Sequence, residues 1–354
     1  MMSTDFWRNK TVLITGHTGF KGAWLSLWLS SLGARIVGFS LRPREARSLF
    51  DLARLAELMI DIDGDVCDLP AVQRAMVEHA PDIVIHMAAQ ALVRESYRDP
   101  VETYATNVMG TVNILEAARR NESPRVVLVI TSDKCYEPSS DETVAHREGD
   151  PMGGHDPYSS SKGCAELVTS AYRRSFFAAG KPALASARAG NIIGGGDFSP
   201  DRLIPDLMTE LSAGRTVAIR NPGAVRPWQF VTDPLAGYIT LVRRLWEDPD
   251  RFAGGWNFGP LYEQSVTVAQ VCDCVCALWG KGGRWKTVPD PEMHERGVLQ
   301  LDAHKAAREL PFVPRLSTDQ ALSATVDWYK TWIAGGDMRD FTLLQIESLG
   351  GRDA

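Results

Sequence analysis

A tyrosine and a lysine four residues apart are the pair in this sequence best suited to moving a proton. Three serines separate Tyr158 from Lys162, and on a helix residues at i and i+4 lie on the same face. An ammonium group beside a phenol stabilises the phenolate and lowers the phenol pKa from ~10. Such a tyrosine accepts a proton from an alcohol or sugar hydroxyl while hydride leaves for a nicotinamide. The pair therefore predicts redox chemistry on a hydroxyl, although the bare spacing also occurs by chance in many chains.

A glycine-rich turn near the N-terminus predicts where a dinucleotide binds. Gly16, Gly19 and Gly22 follow a predicted strand and open a predicted helix. Glycines there allow a tight turn and the close approach of backbone N–H groups to a pyrophosphate. The spacing is G-x-x-G-x-x-G, and a turn needed only for packing is the alternative interpretation.

The adenosine end of such a cofactor is less clearly marked. The second predicted strand runs into a serine, a leucine and Arg42, with no acid to hold ribose hydroxyls. Arg42 and Arg44 either contact a 2′-phosphate, which favours NADP, or are solvated loop charges, the interpretation we prefer. Asp65 follows the third predicted strand and is placed to accept from an adenine amino group.

Short apolar strands alternate with helices through the first half of the chain. The predicted strands are Thr11–Thr15, Arg35–Phe39, Met59–Asp63, Ile83–Ala88, Val126–Ile130 and Ala183–Ala187. The predicted helices are Lys21–Leu32, Tyr104–Arg120, Ser159–Ala179, Val266–Leu278 and Thr318–Ile333. This alternation predicts right-handed crossovers and an α/β fold with a doubly wound parallel (Rossmann) sheet.

The regular alternation of predicted strands and helices ends at about residue 189, where glycine-rich and proline-rich turns begin. We expect a smaller, mixed C-terminal lobe whose pieces leave and rejoin the sheet domain. The prediction assigns 1–188 and 228–254 to the dinucleotide-binding domain, and 189–227 and 255–354 to a substrate-binding lobe.

Composition excludes several classes of protein. The 354 residues are 44% hydrophobic and 23% charged, as in an ordinary globular protein, and the formal net charge is −6. That acidity argues against a nucleic-acid partner, and no apolar run reaches the ~18 residues of a membrane span. With no export signal and six cysteines, we expect a cytoplasmic protein with reduced thiols. Cys272, Cys274 and Cys276 alternate without further ligands nearby, so we predict no metal site.

Several segments resemble the extended short-chain dehydrogenase/reductases that act on nucleotide sugars, an NAD-dependent epimerase/dehydratase family. The resemblance runs through nearly the whole chain. It is carried by the segments 16–22, 86–90, 107–111, 131–136, 151–158, 188–197, 202–205, 226–229 and 255–260. Within that family the segments are most similar to those of the 4,6-dehydratase branch that acts on CDP-glucose.

The resemblance implies an internal redox cycle with NAD as cofactor and a nucleotide sugar as substrate. Tyr158 would deprotonate the 4-hydroxyl of the glucosyl group while hydride passes from carbon 4 to NAD. Water is then lost across carbons 5 and 6, and the hydride returns to carbon 6. The product is a 4-keto-6-deoxy sugar nucleotide, an early intermediate of deoxysugar biosynthesis. A 4-epimerase or reductase of the same family is the alternative.

The resemblance also assigns roles to the residues after the fifth predicted strand. Thr131 would hydrogen-bond the 4-hydroxyl, and Asp133 would be the general acid for the departing 6-hydroxyl, which epimerisation does not need. Lys134 stands where the dTDP-glucose branch has a glutamate that removes the carbon 5 proton, and it matches the CDP-glucose branch. Lys134 is either that base or an electrostatic brace for the enolate or for Asp133, and we hold the two roles equal.

The remaining expectations concern binding and assembly. The expected NAD contacts are Gly16, Thr18, Gly19, Phe20, Lys21, Gly22, Asp65, Val66, Ala88, Ala89, Tyr158 and Lys162. Arg202 and Arg226 are candidates for the substrate diphosphate, because a guanidinium fork suits phosphate oxygens. Asn191 resembles the family residue that also contacts that diphosphate. For Arg202 the alternative is an ion pair with Asp201 or Asp206. The family commonly forms a four-helix interface, so we expect a homodimer or homotetramer built on the 104–120 and 159–179 helices.

Overall fold

A computed structural model of the chain describes residues 5–43, 47–138, 145–177, 182–261, 265–288, 300–310 and 312–350. Arg44 and the end of the helix predicted over 159–179 lie outside these ranges. Within them, no helix is long and apolar enough to cross a membrane.

The secondary structure alternates as the sequence predicts. The strands are β1 (Thr11–Thr15), β2 (Arg35–Ser40), β3 (Ile60–Asp63), β4 (Ile83–His86), β5 (Val126–Ile130), β6 (Ala183–Arg188), β7 (Ile192–Ile193), β8 (Val217–Ile219), β9 (Val225–Pro227), β10 (Gln229–Phe230), β11 (Gly254–Asn257), β12 (Ser265–Thr267) and β13 (Trp285–Thr287). The helices are α1 (Phe20–Ser31), α2 (Leu49–Leu52), α3 (Leu69–His79), α4 (Val93–Arg98), α5 (Pro100–Tyr104), α6 (Gly110–Arg119), α7 (Pro157–Ser175), α8 (Leu203–Ser212), α9 (Thr232–Glu247), α10 (Pro249–Phe252), α11 (Val268–Trp279), α12 (His304–Glu309), α13 (Thr318–Ile333) and α14 (Met338–Leu349).

Seven parallel strands form the central sheet in the order β11-β6-β5-β4-β1-β2-β3. Every residue of β4, β5 and β6 is buried, which a parallel sheet covered by helices on both faces requires. The strand order reverses between β1 and β4, and ligands of such sheets bind in the crevice at that reversal. The predicted doubly wound Rossmann sheet is confirmed.

Helix α9 shows what the sequence pattern missed. Thr232, Pro234 and Gly237 resemble a turn, yet residues 232–247 form one helix whose apolar side is buried in the main core. Tertiary burial of that face outweighs the weak helix propensity of its first turns. The predicted 104–120 helix begins earlier, with α5, and continues through a π turn at residues 105–109 into α6.

The C-terminal half contributes both to the central sheet and to small sheets beside it. β11 pairs with β6 as the seventh strand, so the predicted boundary at 254 falls on its first residue. The pairs β7 with β10, β9 with β12 and β8 with β13 form separate two-stranded sheets. The division into two domains stays a prediction.

Candidate active site

The glycine turn packs against the end of β4, where the strand order reverses. Gly16 has φ +74°, and a Cβ there would lie 2.7 Å from the backbone nitrogen of Ala88. A Cβ at Gly22 would lie 2.1 Å from the carbonyl oxygen of Gly16. Both positions therefore exclude any side chain, and the turn brings its backbone to the crevice as a dinucleotide site requires.

The beginning of α1 fits a pyrophosphate. Gly19 precedes the helix, and no side chain caps its first N–H groups, which leaves them for an anionic ligand. The Thr18 hydroxyl lies 2.9 Å from the Ser40 hydroxyl and donates to the Leu41 carbonyl, also at 2.9 Å. These bonds tie the turn to the end of β2. The ring of half-buried Phe20 comes close to the backbone of Gly194, so this helix end also contacts the C-terminal half.

The other predicted cofactor residues lie on loops after β3 and β4. Asp65 Oδ1 accepts a hydrogen bond from the Cys67 backbone nitrogen at 2.8 Å. Val66 is buried, and its carbonyl accepts from Asn113. The Ala88 nitrogen donates to the Thr15 hydroxyl at 3.2 Å, and half-buried Ala89 follows it.

An acid from β3 lies beside Arg42. Arg42 Nη1 lies 2.6 Å from Asp61 Oδ2, and the other oxygen of Asp61 lies 2.9 Å from His17 Nε2. Asp63 is a second partner of Arg42, at 3.4 Å. Arg42 is thus an ion-paired residue that bridges to β3, not a simply solvated charge. The sequence prediction sought an acid at the end of β2 and missed the one on the neighbouring strand.

Helix α7 carries a buried polar stripe. Asp156 caps the helix by accepting from the Ser159 nitrogen at 2.9 Å. Tyr158, Lys162 and Glu166 follow at intervals of four residues, and each is less than a tenth exposed. The predicted pair therefore does share one helix face, and Glu166, which the sequence prediction missed, extends it by one turn.

Burial dominates the acid–base behaviour of this stripe. It raises the pKa of Tyr158 to about 12, against the opposing effects of a Ser132 hydrogen bond and the Arg202 charge. It lowers the pKa of Lys162 to about 8, against the opposing effects of Cys135 and Glu166. The expectation of a lowered phenol pKa is therefore wrong for the chain by itself, because desolvation of the phenolate outweighs the nearby positive charge.

Asp133 lies at the end of β5, in the turn 133–135. Ser132 donates to its Oδ1 at 2.8 Å, and Asn191 Nδ2 lies 3.5 Å from its Oδ2. A Cβ at Gly190 would lie 1.9 Å from the same carboxylate. Asp133 is 5% exposed, and its carboxyl group packs directly on backbone that only glycine can supply. Lys134, the next residue, is half-buried.

Lys21 is near enough to feel the charges of Lys162 and Asp133, two residues predicted to be catalytic, although the sequence prediction placed it only among the cofactor contacts. Burial lowers its pKa to about 7, helped by the charges of Lys162 and Arg202 and opposed by Asp133. Its ammonium nitrogen lies 5.9 Å from the centre of the Tyr238 ring. The only signal for this placement was a lysine in the first turn of an otherwise apolar, buried helix.

The three predicted diphosphate residues lie on separate segments. Arg202 pairs with Asp197 at 3.1 Å and donates to the Ala91 carbonyl. Asn191 has φ +52° and contacts Asp133. Arg226 lies in β9 and donates to its neighbour's carbonyl at 2.8 Å. Asn191 thus lies beside Asp133, and the charge of Arg202 acts on Tyr158 and Lys21. Strand β9 is followed directly by β10, whose Gln229 donates to the Gly190 carbonyl at 3.0 Å.

A glycine turn at the strand-order reversal, together with a buried tyrosine and lysine on α7, defines a dinucleotide-dependent site of the short-chain dehydrogenase/reductase class. Residues 12–252 match the NAD dependent epimerase/dehydratase family, and the chain belongs to that family. This confirms the resemblance seen in the sequence.

Individual relatives agree with this assignment. The chain is 47% identical over 346 residues to CDP-glucose 4,6-dehydratase of Salmonella typhimurium, covering 96% of this chain and 95% of that protein. It is 30% identical over 351 residues to dTDP-glucose 4,6-dehydratase of Xanthomonas campestris, covering 92% and 95%. Among solved structures, dTDP-glucose 4,6-dehydratase from Bacillus anthracis in complex with NAD superimposes with a TM-score of 0.77, at 23% identity and 91% and 97% coverage.

Proposed function

We propose that this chain is a nucleotide-sugar 4,6-dehydratase that converts CDP-D-glucose into CDP-4-dehydro-6-deoxy-D-glucose and water. The observation that carries the proposal is the buried carboxyl of Asp133 in the same site as Tyr158 and Lys162. A 4-epimerase or reductase needs the tyrosine and lysine but no acid for a leaving hydroxyl. The 47% identity to a CDP-glucose 4,6-dehydratase supports the choice of nucleotide.

The binding residues fit NAD and a sugar diphosphate. Gly16, Gly19 and Gly22 bring backbone N–H groups to the pyrophosphate, and Thr18 and Phe20 hold the turn against its neighbours. Asp65, Val66, Ala88 and Ala89 line the same edge of the sheet. Arg202 and Arg226, with Asn191, bind the substrate diphosphate. Bound NAD supplies the hydride chemistry, accepting at sugar carbon 4 and returning the hydride to carbon 6.

Side chains of the protein carry out the proton transfers. Tyr158, as phenolate, takes the proton of the 4-hydroxyl while Thr131 hydrogen-bonds the same sugar oxygen. Because burial raises the pKa of Tyr158 to about 12, the cationic charge of Lys162 and of the oxidised nicotinamide is needed to form that phenolate. Asp133 then gives a proton to the 6-hydroxyl as it leaves.

Lys134 has two candidate roles in removing the proton from carbon 5. Lys134 removes the proton itself if its amine is neutral, or stabilises the resulting enolate as an ammonium while another group accepts the proton. Its half-buried position beside Asp133 fits both roles, and the two stay open.

Exposed apolar side chains support self-association through the helices around α7. Val101 on α5 is 78% exposed and Leu167 on α7 is 60% exposed. Two copies that bury these faces against each other would form the expected four-helix interface. We therefore propose that the chain forms a homodimer or a homotetramer. A cytoplasmic location also stays a prediction.

The decisive experiment is incubation of the protein with a panel of CDP-, dTDP-, UDP- and GDP-hexoses, followed by mass spectrometry. We expect CDP-glucose to lose one water and to give the alkali-induced absorbance of a 4-keto sugar. An epimerised product that retains its water would contradict the dehydratase assignment. If a glucose carried by another nucleotide loses water in preference to CDP-glucose, the assigned substrate is wrong but the assigned reaction stands.

A further inference from the structure

Arg42 stands where this fold meets the ribose of a dinucleotide. The side chain at the ribose 2′ position follows the glycine turn by about 20 residues, and it is an acid for NAD or an arginine for a 2′-phosphate. Arg42 occupies that place, just after the end of β2. The Thr18 hydroxyl lies 2.9 Å from the Ser40 hydroxyl and from the Leu41 carbonyl, so the residues before Arg42 lie against the glycine turn. Position in the chain alone would favour NADP.

Two carboxylates of β3 already hold the guanidinium of Arg42. Nη1 lies 2.6 Å from Asp61 Oδ2, and Nε lies 3.4 Å from Asp63 Oδ2. Strands β2 and β3 are parallel neighbours with Ser40 opposite Asp63, so these acids lie beside the end of β2. One cation faces two anions in this trio, which therefore carries a net negative charge and repels a phosphate.

Asp61 is fixed in place by His17 of the glycine turn. His17 Nε2 lies 2.9 Å from Asp61 Oδ1, and the buried imidazole packs on Gly38, where a Cβ would lie 2.4 Å from the ring. Burial lowers the pKa of His17, against the opposing effects of Asp61, so at pH 7 the ring is neutral and donates from Nε2. Burial alone would raise the pKa of Asp61, but hydrogen bonds from Arg42 and His17 hold it below its usual range. Asp61 is therefore an ionised acceptor, and each of its oxygens has its own donor.

We propose that Asp61, held by His17 and assisted by Asp63, keeps Arg42 from binding a 2′-phosphate and so makes the site select NAD against NADP. A 2′-phosphate reaches the guanidinium only if the short charge-assisted bond to Asp61 breaks. The 2′-hydroxyl of NAD needs no such break, and it carries no charge for the acids to repel. The selectivity thus comes from the neighbouring strand β3 and not from an acid at the end of β2.

The test measures the ratio of the dissociation constants of NADP and NAD. The full-length protein is loaded with NADH, and displacement of the NADH fluorescence by NAD or by NADP gives both constants on one scale. Asp61→Asn keeps the shape of the side chain but removes its charge, so that Arg42 becomes available to the phosphate. We expect this variant to bind NADP about tenfold better relative to NAD, which is the value of one charge-assisted hydrogen bond. An unchanged ratio in folded Asp61→Asn overturns the proposal.

Glu247→Gln is the matched control, because it removes the same charge from an ion pair with Arg243 at 2.9 Å. The neighbouring Trp246 carbonyl accepts from Arg125, which directly precedes β5, so this pair lies at the edge of the sheet opposite the crevice. The control should keep the wild-type ratio. An equal shift in Glu247→Gln would show a general effect of net charge and would contradict the role of Asp61.

Arg42→Gln, combined with Asp61→Asn, separates release of the arginine from simple loss of a negative charge. The tenfold gain for NADP should disappear in this double variant, because the cation that binds the phosphate is gone. A gain that persists without Arg42 would overturn its part in the selectivity.

Asp63→Asn gives an arm that does not depend on the folding of Asp61→Asn. Asp63 is 55% exposed and lies farther from Arg42, so we expect the ratio to move toward NADP by only about twofold. An unmoved ratio, or a shift toward NAD, would contradict the proposal. No sugar enters these titrations, so their outcome is separate from that of the turnover of CDP-glucose, which tests the proposed function.

Discussion

Helix α7 joins two buried polar clusters that handle charge in opposite ways. The first, which we call the catalytic cluster, contains Lys21, Asp133, Tyr158 and Lys162. Its two ammonium groups repel each other, and burial brings their pKa values to about 7 for Lys21 and about 8 for Lys162. Groups with pKa values near neutrality can exchange protons during turnover.

The second, which we call the supporting cluster, contains Tyr136, Glu166, Arg188 and Asn257. Arg188 donates to Glu166 at 2.8 Å and to the Tyr136 hydroxyl at 2.6 Å, and Tyr136 donates to Asn257 at 2.7 Å. Burial opposes the charge of Arg188, but Glu166 raises its pKa further above the usual range. Paired charges therefore stay ionised at every physiological pH. Pairing of charges, and not depth of burial, therefore separates a rigid support from a reactive site.

The largest expected effect comes from removing the proton acceptor of the catalytic cluster. Tyr158→Phe leaves no group to take the 4-hydroxyl proton, so we expect kcat to fall about 10⁴-fold. No reduced nicotinamide should form when CDP-glucose is added, which absorbance of the reduced coenzyme measures. Turnover near the wild-type rate would refute the role of Tyr158.

Breaking the supporting cluster should cost stability. Arg188→Met leaves Glu166 buried without its cation, and we expect a loss of about 3–5 kcal/mol in the free energy of unfolding. Urea denaturation followed by circular dichroism measures it. Arg119→Met is the control, because it removes a solvent-exposed ion pair with Glu116 and should change stability little. If both variants lose the same free energy of unfolding, the ion pair of the supporting cluster contributes no more to stability than a surface ion pair does.

Asp133→Asn separates oxidation from elimination within the catalytic cluster. The amide cannot protonate the departing 6-hydroxyl, so overall turnover should fall about 10²-fold. Oxidation at carbon 4 still proceeds, and absorbance of the reduced coenzyme should accumulate after CDP-glucose is mixed with the enzyme. If this variant eliminates water at the normal rate, another group is the acid.

The smallest expected effect concerns the pH dependence of stability. The folded protein releases the Lys21 proton near pH 7, whereas the unfolded chain keeps it to about pH 10.4. The unfolded state therefore binds more protons in this window, and stability rises with pH across it. Lys21→Met should reduce that rise by about 2 kcal/mol between pH 7 and pH 9, measured by urea denaturation. A rise of unchanged size would show that Lys21 is not buried as a cation.

The sequence predicted those features whose residues all lie within one short segment of the chain. The glycine turn and the i, i+4 pair of Tyr158 and Lys162 were visible because each lies within one short segment. The bounds of β1, β5 and α13 match their predictions. Helix α9 and the seventh strand, β11, were missed, because their placement depends on burial against β5 and β6 and not on their own propensities.

Partners distant in the chain could not be predicted. Asp61 reaches His17 across 44 residues, and Thr131 reaches Glu166 across 35. Each contact depends on which strands are neighbours in the sheet and on which face of a strand or helix the side chain lies. The spacing of residues in the sequence does not determine either of these.

The alternation of strands and helices, the glycine turn, the tyrosine–lysine pair and the family can all be predicted from the sequence, because these are properties of contiguous residues. The protonation states of the buried side chains depend on the folded arrangement. Removal from water raises the pKa of Tyr158 and lowers those of Lys21 and Lys162, while Arg188 keeps Glu166 charged. Desolvation and charge pairing depend on what surrounds a group in three dimensions.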